Sequence, residues 1–428
     1  MSNAPGGTSR TARRVVITGI GVVNPLATGT ETFWEAVLAK KTAVGAISRF
    51  DAAGLPVRLA AEIAGFKATD HVPRRLVVKS DLFAHYAIAA SGQALADAGL
   101  GDGGPGDGGL DPFRTGISFG NNSGGWELCE RGFREYYEQH PTMINPWQAT
   151  AWFPTAAQGF VSIRFGIRGF SKSFAADRAS GACGLLHGMR SISRGRNDVV
   201  LAGGAEAPLT RLGVAAHITT GDLSSAAAPE DGYLPFDRER GGLVLGEGAT
   251  VLVLEEREHA LRRGARILGE LAAAEQRTSA PDDPDGPARA LTAALRAADR
   301  GPGDTDVVFA EGAGSAQGDA TEARALAGVF GEGGVPVTVP KAGYGHQYGA
   351  SAATELACAA LSIRDGALPP TPGTRTVDER CAVDLVTETR PRAVRTAVVH
   401  SRSREGTNVA VVLTATDRQD HEHDRRVA

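Results

Sequence analysis

Short apolar runs, most of them ending in glycine, alternate along the chain with stretches of helical periodicity. Val15-Val16-Ile17 reads as a buried strand ending at Gly19. Phe33, Trp34, Val37 and Leu38 then share one helix face, with Thr28 or Thr30 as the cap. Asp81 and Gly99 bracket a second helix that points Leu82, Ile88 and Leu95 inward. The glycine-rich stretch 99–112 is predicted to be a mobile surface loop, followed by a strand at Ile117-Ser118-Phe119. DVVLAGGAEA (198–207) and DVVFAEGAGS (306–315) repeat one pattern, an apolar strand running into a glycine-rich turn. Further strands are predicted at 250–254, 397–400 and 408–413, and helices at about 179–194, 285–300 and 319–329. Strands that are apolar throughout and separated by helices imply α/β layering with buried sheets. The recurring strand pattern suggests an internal duplication with its boundary near 255–265. Residues 1–13 read as a flexible leader and 417–428 as a solvated tail.

At 428 residues the chain can bury a large core in one or two domains. Lys plus Arg is 45 and Asp plus Glu is 49, so the net charge of −4 gives no basic footprint for nucleic acid. Glycine is abundant, 55 residues against a usual ~7%, and its position beside apolar runs fits tight strand-to-helix turns. Cys129, Cys183, Cys358 and Cys381 are spaced neither as metal ligands nor as a redox pair, so no metal site is expected. The opening segment lacks the apolar core of a signal peptide, and no run of about 18 apolar residues exists to span a membrane. The expectation is a soluble cytoplasmic protein.

Four blocks in order carry a resemblance that covers about residues 13–415. They are RRVVITGIGVVNPLA (13–27), YLPFDRERGGLVLGEGATVLVLEE (233–256), PKAGYGHQYGASAATE (340–355) and SRSREGTNVAVVL (401–413). Together they resemble the β-ketoacyl synthases of the thiolase superfamily. The resemblance implies an α/β, thiolase-like fold of two duplicated βαβαβαββ halves in a five-layer αβαβα architecture. The halves would span 14–258 and 259–416. It also implies a cysteine nucleophile at a buried helix N-terminus, where free N–H groups and the helix dipole stabilise thiolate and oxyanion, and two assisting histidines.

In RGFSKSFAADRASGACGLLHGMRSISRG (168–195), anchors on both sides place Arg178 at the nucleophile position. Cys183 lies five residues on, more than one helical turn away, and reads as a small buried residue rather than a displaced nucleophile. Within VVFAEGAGSAQGD (307–319), Glu311 holds the first histidine position. The second is kept as His346, as is the family's lysine, Lys341. Arg402 and Arg404 hold the positions of the aromatic gate. A guanidinium stays protonated and is no nucleophile, and at a helix N-terminus it costs about 0.3–1 kcal/mol. Something must offset a buried cation there. Glu311 is the expected partner through a hydrogen bond of ~2.7–2.9 Å, with Asp177 as a rival and solvent or a neighbouring subunit as the bland alternative. His346 reads either as a relic or as a hydrogen-bond partner of Glu311.

The subgroup that lacks the cysteine comprises the chain-length factors, or ketosynthase β subunits, of type II polyketide synthases, and VVFAEGAGS and VFGEGGVPVTVPK resemble it. That resemblance implies a heterodimer with a ketosynthase α subunit. An acyl carrier protein would present its phosphopantetheine to that partner, with no cofactor bound here, and the polyketide acyl chain would grow into a tunnel at the interface. It implies no nucleic-acid or membrane partner. In NNSGGWELCERGFREYY (121–137) the tunnel positions are Trp126, Cys129 and Phe133, at i, i+3 and i+7 on one helical face, which ordinary interface packing would also explain. The subgroup's usual glutamine is Arg178 here, which weighs against a malonyl decarboxylase-like role. The rivals are an active synthase using Cys183 and a stand-alone scaffold homodimer.

Overall fold

The computed structural model describes residues 12–101 and 110–416. Most of the predicted leader, the centre of the 99–112 loop and the whole predicted tail lie outside the described residues.

Each half of the chain runs βαβαβαββ. The first has strands Val15–Val23, Thr115–Gly120, Ser171–Phe174, Val199–Glu206 and Gly248–Glu256. The second has Gly269–Thr278, Val307–Phe309, Pro336–Thr338, Thr396–Arg402 and Thr407–Thr414. Counted within each half, both pair in the order 3-2-4-5-1. In both, the pairs 3-2 and 2-4 are parallel and 4-5 and 5-1 antiparallel. The pairs Val16↔Glu270 and Ile17↔Gly269 join them into one eleven-stranded sheet, one edge of which is Asp384–Leu385. The helix Arg257–Arg262 lies between the halves.

Helices fill three layers around the two sheet halves. Ser180–Ser193 and Ser351–Asp365 form the central layer: Leu185, Leu186 and Leu356 share a core with Val200 from one half and Val399 from the other. Leu82–Asp97 and Ala156–Phe165 cover one outer face, against Leu201. Gly286–Ala297 and Ala316–Phe330 cover the other, against Val398. Consecutive residues such as Val200 and Leu201 thus enter different cores, which is why these strands are apolar throughout.

Two local expectations are corrected. The first strand does not end at Gly19 but runs on to Val23, with a bulge between Ile17 and Gly19. A Cβ at Gly19 would sit 2.3 Å from the Ala94 carbonyl oxygen, and one at Gly21 2.0 Å from that of Ala90. These glycines admit the helix Leu82–Asp97 rather than stop the strand. The helix Thr30–Leu38 is capped by Gly29, without a side-chain hydrogen bond, because Thr30 Oγ1 donates to the Ile20 carbonyl instead (3.0 Å).

Candidate functional site: a buried charge cluster beside a cavity

The strand Ser171–Phe174 turns into the helix Ser180–Ser193 through Asp177, a non-glycine residue at φ 50°. Ser180 Oγ pins this turn, donating to the Asp177 carbonyl (2.6 Å) and accepting from the Ala176 N–H (2.9 Å). In the other half, the turn into Ser351–Asp365 passes through Gly345 (φ 74°) and Tyr348 (φ 43°). The turns touch where a Cβ on Gly181 would lie 2.4 Å from the Gly349 carbonyl oxygen.

Arg178 is 7% exposed in the first turn. Its Nε lies 3.5 Å from Asp177 Oδ2 and 3.8 Å from Glu311 Oε1, and makes no hydrogen bond. The two carboxylates therefore compensate its charge, but the short Arg178–Glu311 hydrogen bond anticipated from the sequence is not formed. The reason is that Glu311 is already engaged: Oε1 meets His346 Nε2 (2.9 Å) and Oε2 accepts the Arg402 N–H (3.3 Å). Lys341 Nζ donates to the Glu311 carbonyl (3.0 Å) and pairs with Glu355 Oε1 (2.7 Å). Glu322 holds the Glu311 backbone by accepting its N–H and that of Gly312, each at 2.8 Å.

Burial by itself would raise the Glu311 carboxyl, but Lys341, His346 and Arg178 hold it well below the usual carboxylate range. For Arg178 burial works downward and the carboxylates of Glu311 and Asp177 reverse it, so the net direction is up. Burial lowers His346, against Glu311, and leaves a neutral ring. The Tyr348 N–H donates to His346 Nδ1 (3.1 Å), so the ring proton sits on Nε2 and is given to Glu311. The His346 ring thus has no free donor to offer a substrate, and the buried group in the first turn is a guanidinium, which is no nucleophile.

A cavity of about 590 Å³ opens beside these turns, with Asn122, Ser123, Trp126, Asp177, Tyr348 and Arg404 on its wall. Arg178, Glu311 and His346 are not on it; Tyr348, packed edge-on against His346 (centroids 5.0 Å apart), stands there instead. Arg404 closes this side: its N–H donates to Asp177 Oδ2 (2.8 Å) and its Nη1 to the Thr220 carbonyl (2.9 Å). Arg402 Nη2 donates to the Pro281 carbonyl (2.7 Å).

Cys183 is buried in the second turn of its helix, and its N–H donates to the Ala179 carbonyl (3.0 Å), so that N–H is not available to an oxyanion. Its Sγ faces Gln276 Oε1 (3.9 Å), and burial pushes the thiol up to about 11. The geometry counts against the displaced-nucleophile alternative. Among the described residues no cysteine lines the cavity, and no group of three His, Cys, Asp or Glu could hold a metal ion. No helix among them is long and apolar enough to cross a membrane.

The tunnel positions separate. Trp126 opens the helix Trp126–Arg134 and lines the cavity. Cys129 is buried away from it, and Phe133 is 48% exposed, 6.4 Å from the Tyr137 ring. Within the single chain the three do not form one wall, because the helix turns Cys129 into the core and leaves Phe133 on the outer surface. Tyr136, Tyr137, Trp147, Trp152 and Phe153 are exposed as well. Sequence reasoning passed over Tyr348, Glu322, Glu355 and Glu206, although acidic residues within apolar or small-residue stretches such as SAATELACAALS mark buried charges.

The description "Beta-ketoacyl synthase, N-terminal domain" matches residues 12–260, and "Beta-ketoacyl synthase, C-terminal domain" matches 265–375. The tetracenomycin polyketide synthase ketoacyl synthase beta subunit of Streptomyces glaucescens is 41% identical over 406 residues, 93% of this chain and 98% of that one. The ishigamide ketosynthase/chain length factor superposes with a TM-score of 0.84 at 29% identity, covering 95% of this chain and all of the other. A type II polyketide synthase acyl-carrier protein in complex with its ketosynthase, bound to the hexaketide, gives 0.85 at 27%, with coverage of 95% and 100%. The duplicated fold is therefore the thiolase-like ketosynthase fold. The chain belongs to the β-ketoacyl synthase family, and it is similar to the ketosynthase β, or chain-length-factor, members of it.

Proposed function

We propose that this chain is the non-catalytic, chain-length-determining subunit of a type II polyketide synthase, working in the cytoplasm as a heterodimer with an active ketosynthase α. The observation that carries this reading is the buried Arg178–Glu311–His346 cluster. It fills the place of the acyl-bearing thiol with a permanent cation and commits the remaining histidine to a carboxylate. Tyr348 and Arg404 stand between that cluster and the cavity, so a phosphopantetheine arm would be served by the partner's thiol and not by this subunit. The exposed aromatic residues from Phe133 to Phe153 give a surface suited to burial against the partner. Trp126, on the cavity wall, would meet the growing polyketide chain, with Phe133 completing the wall once the partner covers it. Bulk at these positions makes further extension cost steric overlap.

Co-expression with a ketosynthase α tests this. The expected result is a 1:1 complex in which acyl groups from the carrier protein load only on the partner, and in which Trp126→Ala lengthens the product. A covalent acyl adduct on the isolated chain, with elongation, would overturn the reading.

A further inference from the structure

The indole of Trp126 is held by a hydrogen-bond relay that ends on a buried acid. An indole N–H can only donate. Trp126 Nε1 donates to Ser123 Oγ at 2.7 Å, so the Ser123 hydroxyl hydrogen is left free and is given to Glu206 Oε1. Glu206 is fully buried at the end of the strand Val199–Glu206. It also accepts the N–H groups of Asn122 (2.9 Å), Ser123 (3.0 Å) and Gly349 (3.2 Å). Four donors converge on one side chain, and only an acceptor-only carboxylate satisfies them all. Burial pushes this carboxyl up to about 7 against the pull of those donors; a proton on either oxygen would face one of them. Gly349 lies in the same turn as Tyr348, so one residue ties the floor of the cavity to its Trp126 wall.

The flanks of the indole are set too. Its ring meets His217 (6.2 Å, 62°) on one side and Trp152 (6.5 Å, 81°) on another. Gly213 leaves it room, since a Cβ there would lie 3.2 Å from Trp126 Cδ2. A large side chain on a cavity wall limits an occupant's length only if it stays in one rotamer.

We propose that Ser123 and Glu206 are positioning residues which lock the Trp126 indole across the cavity and thereby set the length of acyl chain this subunit admits. The inference rests on the chain-length reading above and deepens it. Losing the Ser123 hydroxyl frees the indole N–H and lets the ring swing out of the path of the chain.

The test uses the reconstituted complex with ketosynthase α and malonyl-loaded carrier protein, with mass analysis of the carrier-bound chain. Ser123→Ala should raise longer products about fivefold over the wild-type level, the factor that one net hydrogen bond supplies. Ser123→Thr keeps the hydroxyl and should keep the native length. Glu206→Gln, which points an amide N–H₂ into a ring of donors, should act like Ser123→Ala. Trp126→Ala is the control for the underlying reading. A changed length in Trp126→Ala with native lengths in Ser123→Ala overturns this proposal and leaves the chain-length role standing. Native lengths in both overturn the two together. Should Ser123→Ala reduce complex yield, replacing the Trp126 side chain by that of 3-benzothienylalanine decides, since it keeps the size of the ring system and removes the indole donor: longer products support the relay, and native length sinks it.

Discussion

Helix Ser180–Ser193 and helix Ser351–Asp365 hold the same place in their halves, third in the βαβαβαββ order. Each follows a turn in which the third residue before the helix is a non-glycine residue with positive φ, Asp177 at 50° and Tyr348 at 43°. Such residues cost about 1–3 kcal/mol each and persist only where their surroundings fix them. One turn carries a cation, Arg178, while the other carries a neutral histidine, His346. The difference teaches that the elbow and its chemistry are separable. Ser180 Oγ and the Gly181–Gly349 contact hold the backbone, and neither depends on which side chain stands at 178. The His346 ring is committed by Glu311 across the cluster and not by a feature of its own turn.

The comparison breaks most sharply at Glu311. Glu311→Gln leaves Lys341 and Arg178 each with one compensating carboxylate fewer, and removing one partner from a buried ion pair costs about 3–5 kcal/mol. Chemical denaturation at pH 7 should show it. The folded carboxyl is held below its unfolded value, so the stability it supplies is present above about pH 4.3 and fades as pH falls below that. The gap between wild type and Glu311→Gln should shrink on acidification; a gap constant from pH 7 to 3 would mean that Glu311 is not the compensating charge.

Gly181→Ala probes the contact between the turns. Its Cβ would meet the Gly349 carbonyl oxygen of the other turn at 2.4 Å, a backbone atom, so the strain has nowhere to go. A loss near the top of the 1–3 kcal/mol range for overpacking is expected, about 3 kcal/mol by thermal or urea unfolding. Wild-type stability would show that the turns are not locked together.

The smallest effect on acylation is expected from Arg178→Cys, which puts a thiol in this turn and removes the cation beside Asp177 and Glu311. His346 Nε2–H remains committed to Glu311 and Tyr348 remains on the cavity wall. Incubation with an acyl-loaded carrier protein should leave the variant's mass unchanged, and Cys183, buried with a raised thiol, should stay unlabelled by iodoacetamide in the native protein. An acyl adduct on the introduced thiol would show that the histidine is not silenced.

Much of this was legible before the structure. Val199–Glu206 and Thr407–Thr414 stand out because both of their faces are buried, so nearly every residue is apolar or small. The strand Gly269–Thr278 escaped, since its alanine-rich, half-polar sequence carries little β signal. The helix Ser351–Asp365 escaped too, because it is buried all round and shows no amphipathic stripe. At the site, motif order placed Arg178, Glu311, Lys341 and His346 together, but it could not choose among their pairings. Geometry chose Glu311 with His346, and Glu355 with Lys341.

The chain's own order of residues determines the duplicated layers, the lack of a thiol at position 178 and the presence of compensating acids, because these follow from periodicity and register along the backbone. What only the folded molecule decides is which acid meets which base, that Tyr348 and not Arg178 faces the cavity, and that Ser123 and Glu206 reach Trp126. Those outcomes depend on ångström-scale distances between residues far apart along the chain, and the strength of a buried hydrogen bond or ion pair falls off over that same scale.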